Sequence, residues 1–234
     1  MEDPLSNPEL PGAGPTRDAR DLPRLLLLAD GFVGGRAGLS AEAVRERVVR
    51  LVEAGVRAVQ LRDHRAEPGP FAETATALAE RLRAARPDVV VMCNGHPDVA
   101  LALGAVLHVG HRGLSVEEAR RRVGEEALLS FSAHSPSDAR RAVRDGADIL
   151  LVSPLFPTPS HPGQPPGEIQ LLARTRDALA GVIPPPVLYA LGGITPERVE
   201  ACLQAGAHGV AVLSGLLEAL EPEEAARAYL GALA

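Results

Sequence analysis

Short apolar runs alternate with longer amphipathic stretches from residue 23 to the end of the chain. Each run predicts a buried strand, and each amphipathic stretch carries apolar residues at the i, i+3, i+4 spacing of a helix. In the stretch at 40–54, for example, Val44, Val48 and Leu51 share one face, and Ser40 is a predicted N-cap. The predicted strands are 24–29, 58–62, 89–93, 106–109, 128–132, 149–152, 187–190 and 210–213. The predicted helices are 40–54, 71–85, 97–103, 115–123, 135–144, 168–179, 195–204 and 222–233.

Strands that alternate with helices of this length are typical of parallel βαβ units. Eight units fit an α/β fold of the TIM-barrel type, (β/α)8, which commonly takes about 200–250 residues. An open doubly wound sheet is the alternative, although it usually has fewer strands. A glycine ends the helix before several predicted strands, namely Gly55, Gly104, Gly146 and Gly206. We therefore predict one barrel domain over 23–234, preceded by a disordered, proline-rich tail at 1–22.

Composition narrows the function class. The chain has 234 residues and a net charge of −6, and Arg accounts for all 24 basic residues. Because there is no Lys, a Schiff-base mechanism through a lysine amine is excluded. Two Cys predict no disulfide framework, which favours a reducing cytoplasm. An acidic chain with 3% aromatic residues and no long apolar run is expected to bind neither nucleic acid nor a membrane. The sequence leaves open whether the chain forms a homo-oligomer.

Polar residues cluster where the predicted strands end, which in a TIM barrel is the rim that carries the active site. They are Gln60 and Arg62, Asn94, His108 and His111, Ser132 and His134, and Ser153 and Thr158. Six of the seven His residues are predicted on or near this rim, and only His208 falls at the opposite end. Histidine titrates near neutral pH, so the rim is suited to proton transfer.

Two glycine-containing turns after the last strands predict a phosphate site. Gly192 and Gly193 follow the seventh strand, and Ser214 and Gly215 follow the eighth. Backbone N–H groups at these two points can converge on one phosphate, as they frequently do in TIM barrels. Since the chain has no Lys, such a phosphate must be held by backbone N–H groups, hydroxyls and Arg.

Several of these motifs, in this order, resemble the thiamine phosphate synthase superfamily, whose fold is a compact TIM barrel. The resemblance extends from about residue 24 to 233. It is carried by Gln60-Leu61-Arg62, by Asn94 with residues 98–101, by Ser132-Ala133-His134-Ser135, by residues 154–158, by residues 192–196 and by residues 210–214. The superfamily includes a synthase, which couples a pyrimidine pyrophosphate to a thiazole phosphate with Mg²⁺. It also includes a tautomerase (TenI type), which aromatises a carboxythiazole phosphate by moving a proton and needs no metal.

This chain departs from the synthase pattern at the metal. Gly95 and Gly113 stand where the synthase has Asp, and His64 and His161 stand where it has Lys. Glycine offers no side-chain oxygen, the ligand that Mg²⁺ requires. The resemblance is therefore closest to the tautomerase type, and we predict thiazole tautomerase activity on a phosphorylated thiazole with no metal or other cofactor.

The resemblance also implies a role for individual residues. It makes His134 the catalytic acid–base and predicts substrate contacts from Gln60, Arg62, Asn94 and Thr158. It predicts phosphate contacts from Gly167, Gly192, Gly193, Ser214 and Gly215.

Three alternatives remain at this stage. One is a working thiamine phosphate synthase that holds Mg²⁺ through Asp63 and Asp98, the carboxylates left on the rim. Another is a barrel that binds a phosphorylated ligand without catalysis. The weakest is a zinc site formed by rim histidines, which lack the paired spacing typical of zinc ligands. The proline-rich loop at 158–167 is expected to be either a lid or a rigid rim.

Overall fold

Eight parallel strands close into a barrel in a computed structural model, which describes residues 18–157 and 168–234. Each strand is hydrogen-bonded to the next along the chain, and the last pairs with the first. The strands are β1 (Leu25–Asp30), β2 (Ala58–Arg62), β3 (Val90–Asn94), β4 (Val106–Val109), β5 (Leu129–Ala133), β6 (Ile149–Val152), β7 (Val187–Leu191) and β8 (Gly209–Val212). The predicted TIM-barrel fold is confirmed.

Helices on the outside connect successive strands, and two more follow the last strand. They are α1 (Ala41–Glu53), α2 (Pro68–Ala85), α3 (Pro97–Leu103), α4 (Val116–Val123), α5 (Pro136–Arg144), α6 (Gln170–Ala178), α7 (Pro196–Gln204), α8 (Ser214–Leu217) and α9 (Pro222–Ala232). Ser40 caps α1 by accepting a hydrogen bond from the amide of Ala43, as predicted. Besides shifts of one or two residues at several element ends, two details differ from the prediction. Helix α2 begins at Pro68, where a proline fits the first turn, and α8 is an additional short helix directly after β8.

The strands alternate their side chains between two apolar layers. Leu25 and Leu27 of β1 face the helices, whereas Leu26 and Leu28 face the barrel axis. The interior layer is the smaller one and contains Met92 and Tyr189 among its largest members. Because this interior is filled with side chains, ligand access is confined to the ends of the barrel.

The chain enters the barrel earlier than the sequence suggested. Of the segment 1–22, which we predicted to be disordered, residues 18–22 are described and include a 3-10 helix at Ala19–Asp21. Leu22 is buried in the interior apolar layer, at the amino-terminal end of the strands. Its carbonyl oxygen lies 2.7 Å from Nε2 of His208, and the Tyr189 hydroxyl donates to the carbonyl of Pro23. The Leu22 side chain fills the amino-terminal end of the barrel interior, called the barrel floor below, and its burial explains why the chain packs against the barrel before β1 begins.

Among residues 18–157 and 168–234, every helix is too short or too polar to traverse a lipid bilayer.

Candidate active site

A cavity of about 290 Å³ opens at the carboxyl ends of the strands, on the side formed by β6, β7, β8 and β1. Its polar wall brings together residues predicted separately from the sequence: Arg62, His134, Gly192, Gly193, Ser214 and Gly215. Apolar side chains, including Leu28, Leu191 and Ile194, complete the wall. A small cavity with an apolar lining and a few convergent polar groups is typical of a site for a small molecule.

His134 follows β5 directly and precedes α5, which Ser135 caps. The Nδ1 atom of His134 lies 2.7 Å from the carbonyl oxygen of Ser153, on the loop after β6. A carbonyl oxygen only accepts hydrogen bonds, so Nδ1 carries the proton and donates it. In the neutral imidazole the other nitrogen, Nε2, is then an unprotonated base. His134 is therefore held in the tautomer that a proton-abstracting group requires.

The ring of His111 stacks against the ring of His134. The two ring centroids are 4.7 Å apart and the planes are inclined by 20°. On its far side, Nε2 of His111 lies 3.8 Å from a carboxylate oxygen of Asp138 in α5. These contacts restrict the orientation of both rings, and they place a second imidazole beside His134.

Arg62, the last residue of β2, presents an incompletely paired guanidinium to the cavity. Its Nη2 atom lies 3.2 Å from Oδ2 of Asp30. Its Nε atom is buried and has no hydrogen-bond acceptor among the described residues. A buried donor left without an acceptor costs about 1–3 kcal/mol. The Arg62 side chain is nevertheless 22% exposed, and the exposed part of its guanidinium can pair with a ligand carboxylate or phosphate.

The turns after β7 and β8 need glycine for steric reasons. Gly193 has a positive φ of 63°, and a Cβ there would lie 2.5 Å from the carbonyl oxygen of Pro157. A Cβ on Gly215 would lie 2.4 Å from the hydroxyl of Tyr229, which donates to the carbonyl of Ile194. Gly193 is thereby packed closely against the loop after β6 and Gly215 against α9, so neither position can carry a side chain without displacing a neighbour.

The remaining predicted contacts are not part of this cavity wall. Gln60 is buried in the barrel, where its amide nitrogen lies 3.1 Å from the sulfur of Met92. Asn94, at the end of β3, is half-buried and does not line the cavity. Thr158 and Gly167 lie outside the described residues. Substrate binding by these four residues stays a prediction.

His108, predicted on or near the rim, is the penultimate residue of β4 and is buried. It faces the barrel axis, where Nδ1 and Nε2 lie 2.9 and 3.0 Å from the hydroxyls of Ser130 and Ser132. Burial, together with the nearby Arg62 and His64, lowers the pKa of His108 to about 3. The alternation of side chains explains the placement, because His108 is two residues beyond Val106, which also faces the interior.

Within residues 18–157 and 168–234, the residues present do not fit a magnesium site. Gly95 and Gly113 have only open space within 4 Å of the position that a Cβ would take. Asp63, a predicted alternative ligand, accepts hydrogen bonds from the backbone amides of Gly34, Val33 and Arg65. Asp98 is exposed on α3. Of the two carboxylates that the synthase alternative needs, Asp63 is therefore occupied by hydrogen bonds to backbone amides, and Asp98 is exposed to solvent.

The zinc alternative is not supported either. His96 stacks on Phe71 at a centroid distance of 3.8 Å, and His108 is enclosed by its serine partners. Within residues 18–157 and 168–234, no three His, Cys, Asp or Glu side chains are grouped closely enough to bind a metal ion.

Sequence reasoning missed two residues beside the site. Asp30 ends β1 and touches Arg62, and Arg36 in the following loop touches Asp30. Asp30 could have been found, because it occupies the same strand-end position that identified Arg62 in β2. Arg36 could not, because its contact depends on the path of the loop.

Comparison with known proteins agrees with the fold. A family model described as thiamine monophosphate synthase matches residues 33–216. Thiamine-phosphate synthase from Thermus thermophilus is 39% identical over 196 residues, which is 82% of this chain and 90% of that protein. The synthase from Syntrophomonas wolfei is 36% identical over 198 residues, 84% of this chain and 91% of that protein.

The solved structure of thiamine phosphate pyrophosphorylase from Pyrococcus furiosus is similar in fold. Its TM-score is 0.73 at 23% identity, over 90% of this chain and 95% of that one. The relatives carry the synthase name, so the predicted tautomerase type is not confirmed by them. The match over residues 33–216 and the identity to curated relatives show that this chain belongs to the thiamine monophosphate synthase (TMP-TENI) family.

Proposed function

We propose that this protein is a thiazole tautomerase, which aromatises a carboxythiazole phosphate in thiamine biosynthesis by moving a proton. The observation that carries the proposal is the cavity wall itself. The wall contains His134, whose Nε2 is free to accept a proton, and Arg62, whose guanidinium is incompletely paired. It also contains the two glycine turns after β7 and β8. The positions that supply carboxylates in the synthase are the side-chain-free Gly95 and Gly113.

The two ends of the substrate would be held by different parts of the wall. The turns at Gly192-Gly193 and Ser214-Gly215 would donate backbone N–H groups to the phosphate. Arg62 would hold the carboxylate, since its planar guanidinium can donate to both carboxylate oxygens. Fixing both ends orients the ring against the imidazole, and correct orientation alone supplies a large part of many rate enhancements.

The proton transfer would use His134 in both directions. Nε2 accepts the proton that leaves the thiazole ring, and the resulting imidazolium returns a proton to the exocyclic carbon of the substrate. While the ring is charged, the carbonyl of Ser153 continues to accept the Nδ1 proton, so the imidazole keeps its position. The net reaction moves one proton and changes no oxidation state.

Thiamine phosphate synthase is the second candidate, and the names of the relatives at 36–39% identity favour it. In this chain it would require ligands for Mg²⁺ other than Asp63, whose oxygens already accept three backbone N–H groups. We therefore place it second.

A parallel assay of the purified protein distinguishes the two. One arm follows aromatisation of the carboxythiazole phosphate tautomer, and the other follows coupling of hydroxymethylpyrimidine pyrophosphate to thiazole phosphate, each with Mg²⁺ and with a chelator. Aromatisation that is equal in both conditions, without coupling, supports the proposal. Coupling that requires Mg²⁺ supports the synthase. Ligand binding without either reaction would identify a non-catalytic barrel.

A further inference from the structure

Asp30 stands between two arginines at the edge of the site. Its Oδ2 atom lies 2.5 Å from Nη1 of Arg36 and 3.2 Å from Nη2 of Arg62. Arg36 is held in turn by Glu218, whose Oε1 lies 2.8 Å from Nε of Arg36. The chain of contacts runs from the cavity wall through β1 and the β1–α1 loop to the residue that follows α8.

These ion pairs are partly buried, so water screens them less than it screens ion pairs on the surface. The side chains of Asp30, Arg62 and Arg36 are 13%, 22% and 24% exposed, respectively. Fully exposed ion pairs contribute little because water screens them, whereas partly buried ones are screened less. The shorter contact of Asp30 is the one to Arg36, so Arg36 shares the Asp30 charge with Arg62, although Glu218 also pairs with Arg36.

We propose that Arg36 is a positioning and specificity-determining residue, which neutralises Asp30 so that Asp30 can orient Arg62 without cancelling its charge. This inference rests on the proposed function, in which Arg62 holds the substrate carboxylate. It assigns selectivity for a carboxylate-bearing thiazole phosphate to a residue outside the cavity wall.

The charges explain the expected effect. With Arg36 in place, the carboxylate of Asp30 is shared between two arginines, so Arg62 keeps part of its positive charge for the ligand. Without Arg36, Asp30 has Arg62 as its remaining described partner. A ligand carboxylate then meets an arginine already paired with a negative group, and its binding weakens. The phosphate end is held by the turns after β7 and β8 and should bind as before.

The test compares two ligands by titration calorimetry with the full chain: carboxythiazole phosphate and the thiazole phosphate that lacks the carboxylate. Arg36→Met is expected to weaken binding of the first ligand roughly three- to tenfold and to change the second less than twofold. Arg36→Lys keeps the charge and should retain the wild-type preference. Arg36→Gln, a milder change, replaces Arg36→Met if thermal unfolding shows that variant to be unfolded at the assay temperature.

The double variant Arg36→Met with Asp30→Asn, titrated with the carboxylated ligand, distinguishes an electrostatic role of Arg36 from a structural one. Removal of the unneutralised carboxylate should restore much of the affinity for the carboxylated ligand, which a merely structural role of Arg36 would not allow. Arg81→Met is the matched control, because it removes a surface ion pair to Glu46 away from the site.

Three results overturn the inference: equal weakening of both ligands by Arg36→Met, no weakening of either, or no recovery in the double variant. If the wild type itself shows no preference for the carboxylated ligand, Arg62 does not hold the carboxylate, and this part of the proposed function fails as well. If the wild type turns over the tautomer but Arg36→Met keeps the wild-type preference for the carboxylated ligand, the role of Arg36 is refuted while the proposed function stands.

Discussion

The Nδ1 atom of His134 donates to the carbonyl oxygen of Ser153 over 2.7 Å, and this contact determines which nitrogen can act as a base. The two residues follow neighbouring strands, β5 and β6, so the barrel register brings them together. The sequence identified His134 as the catalytic candidate, but only the structure shows how its tautomer is fixed.

Replacement of His134 by Asn removes the proposed base while leaving a polar side chain of similar reach. We expect the turnover number for the thiazole tautomer to fall about 10²–10⁴-fold, the usual contribution of general acid–base catalysis. The dissociation constant for the aromatic product should change less than threefold, because Arg62 and the backbone turns remain. Steady-state kinetics and calorimetric titration measure the two quantities.

The control is His96→Asn, since His96 stacks on Phe71 and does not line the cavity. It should retain wild-type turnover. If His134→Asn also retained it, His134 would have no part in the reaction.

Gly215→Ala tests the packing of the proposed phosphate-binding turn. The added Cβ would approach the Tyr229 hydroxyl to 2.4 Å and disturb its hydrogen bond to the carbonyl of Ile194. We expect a loss of about 1–3 kcal/mol in the free energy of unfolding and weaker binding of thiazole phosphate. Urea unfolding and calorimetry provide the measurements. Gly231→Ala, in α9 with open space around its Cβ position, should be neutral or stabilising by up to about 1 kcal/mol. An identical response of the two variants would contradict the packing argument.

His108 should make stability depend on pH. Its pKa is lowered to about 3 in the folded protein, mainly by burial, whereas in the unfolded chain it titrates near 6.5. Between these values the unfolded state binds the extra proton, so the free energy of unfolding falls as the pH drops below about 6.5. The expected slope is about 1.4 kcal/mol per pH unit from this residue.

Urea unfolding of the wild type and of His108→Gln at pH 7.5 and pH 5 isolates this contribution. The loss between the two pH values should be smaller in the variant by roughly 1–2 kcal/mol. Equal losses would mean that His108 is protonated in the folded state or is accessible to water.

Leu22 is expected to contribute to stability although it precedes the first strand. It is 5% exposed and fills the barrel floor. Leu22→Ala should lower the free energy of unfolding by about 2–4 kcal/mol, as for other buried leucines. Leu220→Ala, at a leucine that is 95% exposed, should change it by less than about 0.5 kcal/mol. Chemical denaturation of both variants tests the comparison, and a small effect of Leu22→Ala would show that the floor does not depend on this side chain.

The sequence was informative wherever a local pattern determines the structure. Apolar runs, capping residues such as Ser40 and Ser115, and Pro at the first turn of α7 located the elements to within a few residues. The parallel barrel then brought Arg62, His134 and the glycine turns to one rim, since every strand ends there.

Two features of the site depended on information that the local pattern does not contain. The side chain of His108 points to the barrel axis because side chains alternate along β4 and Val106 also points there. Predicting this from the sequence would require the exact position of β4 and the direction of one of its side chains. The pairing of Arg36 with Asp30 depends on how the β1–α1 loop folds back, and it joins residues with no characteristic spacing. Long-range ion pairs of this kind follow from tertiary packing.

The central claim is that a histidine on a metal-independent site moves a proton on a carboxythiazole phosphate. Its most direct test is single-turnover conversion of the tautomer by the purified full chain in excess chelator, followed by the ultraviolet absorbance of the aromatic product. We predict full conversion by the wild type and conversion about 10²–10⁴-fold slower by His134→Asn. A wild-type protein that leaves the tautomer unchanged, yet forms thiamine phosphate once Mg²⁺ is supplied, would contradict the account.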